Sequence, residues 1–386
     1  MSRLDQISLG KIVVIREQLL EAQRKGTAIF RFESGDPNFD IHDTIKEAVY
    51  RALKENKTHY IPNNGIPELK DALVKKLKKQ NKIEAKSADI FVTNGAMHAL
   101  YVTYQCMIEE GDEVIVPDPM WTEAVENARL AGAKTIPVEL TLDDNYIYRA
   151  EKIKEKITSK TKAIFLNSPH NPTGAVIPLS ELKLIAELAV KHNLWIISDE
   201  AYETVVFDGA THHSLATLIP EYNKVISVFS FSKSHAMSGM RLGYLVCKDK
   251  LFGERVGKLL RCTINGVNSV AQWAAVGALE NTPESWQQEM TVEYQKRRDL
   301  FLKALSHQNI LIPFKPQGTF FLWCKLNPQF DSNELSAKLT LAGIGNTPGD
   351  CFGQSKETMN SMRFAFSCSS KMVEEGVPLL LNHLKV

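Results

Sequence analysis

The chain has 386 residues, with 46 Lys+Arg against 45 Asp+Glu and a formal net charge of +1. Its 44% hydrophobic and 24% charged content is that of a folded chain and excludes an extended disordered one. Balanced charge also excludes a general attraction to nucleic acid or anionic membrane, so any anion must meet a local site.

The length exceeds the roughly 250–300 residues at which single cores stop growing, so two domains are expected, one much the larger. In the stretch Met1 to Ile7, Asp5 stands where a signal peptide needs an apolar core. No apolar run approaches the roughly 20 residues needed to cross a bilayer. The six cysteines form no Cys-x-x-Cys pair, which gives a zinc or redox motif no support. The expectation is reduced, mostly buried thiols, no metal, and a cytoplasmic protein.

In chain order, Ile45, Val49, Ala52 and Leu53 mark one helix stripe, and Leu69, Ala72, Leu73 and Leu77 another. Pro62-Asn63-Asn64-Gly65 between them is dense in turn residues. Glu113 to Val116 reads as a strand that Pro117 ends, and Lys162 to Leu166 reads the same way. Leu182, Ile185, Leu188 and Ala189 form a helix stripe before the strand Leu194 to Ile197. Val225 to Phe229 and Leu242 to Val246 follow as further strands. Near-continuous apolar strands alternating with amphipathic helices predict an α/β domain with a mostly parallel sheet sandwiched by helices. After about residue 275 a charge-rich helical stretch, Glu284 to Leu305, leads to Gly318-Thr319-Phe320-Phe321-Leu322-Trp323. A smaller α+β domain is expected there. The predicted division is a large domain over 45–275, and a small domain over 1–44 and 276–386 with an N-terminal arm.

In an open α/β sheet, ligands gather outside the carboxyl ends of the strands. Four predicted ends carry polar residues: Thr93-Asn94-Gly95, Asn167 to Pro172, Ser198 to Tyr202, and Ser230-Phe231-Ser232-Lys233. Lys233 is read as ending an apolar strand, after two hydroxyls, with Arg241 following a Ser238-Gly239 turn. Two serines and an arginine around a lysine suit a phosphate dianion beside an amine that forms a Schiff base. That is the chemistry of pyridoxal phosphate. Asp199 is the natural acidic partner for its pyridine nitrogen, although a strand-terminal Asp also serves as an ordinary helix cap.

With Ser34-Gly35-Asp36-Pro37, Tyr60 before its turn, Thr93 to Ala96, Asn167 to Gly174, Asp199 to Tyr202, Ser230 to Lys233, Gly318 to Phe321, Pro348 to Gly353 and Arg363, these runs form an ordered set. The set resembles the fold-type I, class-I/II aminotransferases, the aspartate aminotransferase-like family, over nearly the whole chain. The resemblance implies a large PLP-binding domain, pyridoxal 5'-phosphate covalent to Lys233, and a homodimer with shared active sites. It gives Lys233, Asp199 and Tyr202 catalytic roles. The N–H groups of Gly95, Ala96 and Met97 would hold the phosphate, with Ser230, Ser232 and Arg241, and with Tyr60 of the neighbouring subunit. Trp121 would stack on the pyridine ring, while Asn171 and Tyr202 would hydrogen-bond the phenolic oxygen. Arg363 would grip the substrate α-carboxylate, assisted by Gly35 and Asn171.

Met240 stands where the family often has an aromatic residue, and Met97 offers no charge to a substrate. Glu123 falls where many relatives have an aromatic or small residue. It reads either as a helix-start residue exposed to water or as an attractor of a basic substrate side chain. The implied activity moves the α-amino group of an L-amino acid to a 2-oxo acid through a two-stage cycle. Specificity would be aspartate-type or broad, with basic amino acids allowed. The alternative on the same scaffold is a β-eliminating C–S lyase. A DNA-binding regulator would need a basic module for which the stretch before Gly35 is too short.

Overall fold

The computed structural model describes residues 3–7 and 10–384; Met1 and Ser2 of the N-terminal stretch lie outside the described residues. Seven strands form the larger sheet: β1 (Ile90–Thr93), β2 (Glu113–Asp118), β3 (Lys134–Glu139), β4 (Thr161–Asn167), β5 (Trp195–Asp199), β6 (Val225–Ser230) and β7 (Gly243–Val246). Their spatial order is β1-β7-β6-β5-β4-β2-β3, and β7 runs antiparallel to both its neighbours while the other pairs are parallel. Helices α1 (Lys11–Arg24), α2 (Asp43–Lys54), α3 (Pro67–Lys76), α4 (Gly95–Met107), α5 (Thr122–Leu130), α6 (Ala150–Lys156) and α7 (Leu179–Lys191) precede a one-turn α8 (Phe231–Ser234). Then come α9 (Lys250–Thr263), α10 (Ser269–Asn281) and the long α11 (Glu284–Leu305).

The apolar strands are continuous because both faces of the sheet are covered. Ala163, Phe165 and Ile197 pack into one core, and their sequence neighbours Ile164, Leu166 and Ile196 into the core on the other side. The helix stripes face inward as expected at Ile45, Ala52, Leu69, Ala72 and Leu73, but Leu53 at the end of α2 is exposed. One strand boundary differs from expectation. β2 continues through Pro117 to Asp118, because its pairing with β4 stops at Ile115. Beyond that point one side of β2 has no β4 partner, so the missing N–H of Pro117 interrupts no ladder there.

The smaller sheet is antiparallel, in the order β10-β11-β9-β8, from β8 (Leu311–Pro313), β9 (Phe321–Leu326), β10 (Thr347–Pro348) and β11 (Ser361–Ala365). α12 (Ser332–Leu341), α13 (Lys356–Met359) and α14 (Ser370–His383) complete the chain. Phe32 joins the core of this sheet, together with Phe320, Phe364 and the α11 residues Tyr294 and Phe301. Arg363 lies mid-strand in β11, opposite Trp323 of β9 and Thr347 of β10. Asp118, at the end of β2, ties this region to the larger sheet. Its Oδ2 accepts from the N–H groups of Gln354 and Ser355 at 2.9 and 3.1 Å. Among the described residues no helix is long and apolar enough to cross a membrane.

Candidate active site

β4 ends at Asn167, β5 at Asp199 and β6 at Ser230, so three parallel strands deliver polar residues to one edge of the sheet. A cavity of about 720 Å³ opens there. Its wall brings together Gly35, Ala96, Met97, Trp121, Asn171, Asp199, Tyr202, Ser230, Ser232, Lys233, Arg241 and Arg363. Two predicted site residues are elsewhere. Gly95 stands behind the wall, and Tyr60 is 91% exposed in the turn region between α2 and α3.

Lys233 does not end its strand. β6 stops at Ser230, whose hydroxyl caps the α8 turn by accepting from the N–H of Ser232 at 3.2 Å, and Lys233 rides on that turn. Its Nζ donates to the carbonyl of Gly35 at 2.6 Å and lies 5.6 Å from the ring centre of Phe320. Burial lowers the amine to about 8; Asp36 opposes this, and the cations Arg363 and Arg241 reinforce it.

Asp199 is 5% exposed. Its Oδ1 accepts from the N–H of Ala201 at 3.1 Å, the capping contact expected of a strand-terminal Asp. Burial still raises the carboxyl to about 7, against the pull of that N–H and of Lys233. Asn167 fixes the spacing of the two strand ends. Its Nδ2 donates to the Asp199 carbonyl at 3.1 Å, and its Oδ1 accepts from the Asn171 N–H at 2.8 Å. Behind Asp199, fully buried Glu200 accepts from Ser198 at 3.1 Å and from Ser214, and pairs with His212 at 2.9 Å.

α4 begins at Gly95, whose φ of +79° only glycine adopts without strain. A Cβ there would lie 3.0 Å from Arg241 Nη2. Gly243 of β7 makes room from below, since a Cβ on it would come within 2.8 Å of the Ala96 nitrogen. The preceding Asn94 makes no side-chain cap on the 13-residue helix, and the first-turn residues Ala96 and Met97 share the cavity wall with Arg241, Ser230 and Ser232. This is a cradle for a dianion. With Lys233, Asp199 and the Trp121 ring in the same cavity, the donor set fits pyridoxal phosphate. A buried carboxyl raised by burial is stabilised as an anion by a ring N–H cation, and an amine lowered toward its neutral form can bond to a carbonyl carbon. Among the described residues no group of three or more His, Cys, Asp or Glu is gathered to hold a metal.

Arg363 is 3% exposed, with its guanidinium carbon 4.1 Å from the ring centre of Phe321 and 4.7 Å from that of Phe352. Nη1 donates to Asn171 Oδ1 at 3.1 Å and Nη2 to the Glu33 carbonyl at 3.0 Å. Its Nε is buried with no hydrogen-bond partner among the described residues. Burial lowers the group to about 10, which leaves it charged at neutral pH. A buried, stacked cation with an unused donor is built for a carboxylate.

The water-exposed reading of Glu123 fails. It is the second residue of α5 and half-buried, and its Oε2 is shielded from solvent without a partner among the described residues. The reason is tertiary: the segment at residues 3–6 packs against α5, with Arg3 donating to the Leu130 carbonyl at its far end, and Leu4, Ile7 and Ile12 share one cavity wall with Glu123. Burial raises its carboxyl, while Arg363 and Trp121 pull the other way. Sequence reasoning missed Arg16, Arg31 and Glu33, which also line the cavity. The alternation Arg31-Phe32-Glu33 just before Ser34-Gly35 was a usable signal; Arg16 offered none.

The family model for aminotransferase class I and II matches residues 27–379. A probable aspartate/prephenate aminotransferase of Aquifex aeolicus is 35% identical over 97% of this chain and 96% of its own length. An aspartate aminotransferase of Pyrococcus horikoshii is 35% identical over 96% of this chain and 94% of its own. The solved structure of Thermus thermophilus aspartate aminotransferase with maleate superposes with a TM-score of 0.94 at 30% identity, covering 99% of this chain and 98% of that one.

Proposed function

Because the chain belongs to the aminotransferase class I and II family, we propose that the cavity at the ends of β4, β5 and β6 is its active site. The enzyme is an aminotransferase that moves the α-amino group of an L-amino acid to a 2-oxo acid in two half-reactions. Family members use pyridoxal phosphate. When bound, that group supplies the electron sink for the carbanion at the substrate Cα and the carbon that carries the amino group between half-reactions.

The chain's own residues take the following parts in this reading. Lys233 Nζ holds the cofactor between turnovers and, once released, takes up the proton that leaves Cα. Its lowered proton affinity at about 8 supports both tasks, since each needs a neutral amine. Asp199 would hold a positive charge on the ring nitrogen, and Tyr202 and Asn171 would donate to the phenolic oxygen. The start of α4, Ser230, Ser232 and Arg241 would hold the phosphate, and Trp121 would contact the ring. Arg363 fixes the substrate carboxylate with Asn171 and Gly35, which orients the Cα–H bond for removal.

The observation that carries this reading is one cavity holding an amine lowered by burial, a carboxyl raised by burial, and a stacked arginine with an unused donor. The same proposal covers a homodimer to which Tyr60 contributes across the interface, a chain divided near residues 44 and 275, and a cytoplasmic location. The test is a single turnover of the holoenzyme with L-aspartate. Transamination predicts accumulation of the pyridoxamine form with one equivalent of 2-oxo acid, and return of the starting spectrum on adding 2-oxoglutarate. Release of pyruvate and ammonia from an S-substituted L-cysteine, a substrate with a β leaving group, with no pyridoxamine form from either amino acid, would sink it in favour of elimination.

A further inference from the structure

Next to the reaction cavity lies a second one of about 360 Å³, and the two share Ile12, Met97 and Glu123 as a common wall. Ile7 and Leu130 add apolar surface to it. Two carboxylates of α5, Glu123 and Glu126, sit about one turn apart against this space. Each keeps a shielded Oε2 without a hydrogen-bond partner among the described residues. Glu33, 2% exposed in the reaction cavity, likewise leaves Oε2 unpartnered while Arg31 occupies its Oε1.

The neighbouring cations are engaged. Arg129 takes the other oxygen of Glu126 at 3.0 Å, Lys11 pairs with Asp350, and Arg31 is held by Glu33. Arg363, which attracts Glu123 across the cavity, is held by Asn171 and the Glu33 carbonyl. A carboxylate shielded from water is costly unless a cation meets it. The burial that raises the Glu123 carboxyl expresses that cost in the ligand-free protein. Apolar walls ending in carboxylate oxygens match a side chain with a methylene stem and a positive head.

We propose that Glu123 is the specificity-determining residue of the side-chain subsite, and that this subsite takes an L-amino acid of the lysine, ornithine or arginine type. The proposal rests on the cavity being the active site. Arg16, exposed at the same cavity's wall, is the cation through which a dicarboxylic amino acid would compete.

The experiment compares L-lysine with L-norleucine, which keeps the four-carbon stem and lacks the ammonium. Single-turnover conversion of the holoenzyme is followed by its cofactor absorbance. The specificity constant for lysine should exceed that for norleucine about 10- to 100-fold, the range of a charge-assisted contact. Glu123→Gln should bring the ratio toward one. A wild-type ratio at or below one, or an unchanged ratio in the variant, overturns the proposal. The wild-type ratio alone decides if the variant does not fold. Preference for L-aspartate over lysine that Arg16→Gln abolishes assigns the subsite to a carboxylate and overturns it too, while leaving the active-site reading intact. If lysine, norleucine, alanine and aspartate all leave the spectrum unchanged, the active-site reading falls and this inference with it.

Discussion

At the scale of single residues, burial shifts the ionisable groups of the cavity against their ordinary charge state. Asp199 is raised from 3.8 to about 7, so the native chain without cofactor keeps a proton there that the unfolded chain has lost. Between those values stability falls as pH rises, and above about 7 the full cost of burying the ionised carboxylate remains. Asp199→Asn has no such titration. Its melting temperature relative to wild type, in the cofactor-free protein, should climb between pH 4 and 7 and level off above. A difference that does not change with pH would contradict the burial of this carboxyl. In the holoenzyme the same substitution should lower kcat by about 10²–10³-fold, because an amide does not hold a positive ring nitrogen. Arg363→Lys should keep the cofactor spectrum but lower kcat/KM for any amino acid roughly 100-fold, since an ammonium lacks the guanidinium's paired donors. Stopped-flow half-reactions measure both.

At the scale of elements, what was legible in the sequence followed local rules. Asp199, Ser230 and Asn167 could be read because polar residues at the ends of apolar strands stand out against their neighbours. The α4 start could be read from Gly95 after a short strand. What could not be read depended on contacts distant in sequence. The continuation of β2 through Pro117 depends on where β4 stops pairing. Glu123 shares a cavity wall with Leu4, Ile7 and Ile12 from more than a hundred residues earlier, and Arg16 and Glu33 reach the cavity from the same N-terminal part of the chain. The expected role of Arg363 came from the family resemblance, because no local rule marks an arginine in the middle of a strand as part of a site. Two substitutions test elements directly. Gly95→Ala meets a positive φ and a 3.0 Å approach to Arg241, so cofactor affinity should weaken about tenfold, for roughly 1–2 kcal/mol of strain and displacement. Equilibrium dialysis measures it, and unchanged affinity would remove α4 from the phosphate site. Asp118→Ala removes the acceptor of two part-buried hydrogen bonds, from the N–H groups of Gln354 and Ser355, and should destabilise the fold by about 1–2 kcal/mol in denaturant titrations. Wild-type stability would show that the link between the sheets carries no weight.

At the scale of the whole molecule, the seven-stranded sheet and the small antiparallel sheet each supply one side of the cavity proposed as the active site. The larger sheet carries Asp199 and leads into the α8 turn that carries Lys233, and the smaller carries Arg363. Tyr60 stands apart, exposed beside a turn, as a residue that acts on a partner copy would. Mixed Tyr60→Phe and Arg363→Ala subunits should then form hybrids with one unaltered site per dimer. Their activity should exceed the average of the two parents. Activity equal to that average would place Tyr60 in its own subunit's site or outside any site. All of these roles depend on Lys233 carrying the cofactor. Borohydride reduction of the holoenzyme followed by peptide mass mapping should find a single pyridoxyl-modified lysine at position 233. Label on another lysine, or no label at all, would show that Lys233 does not carry it.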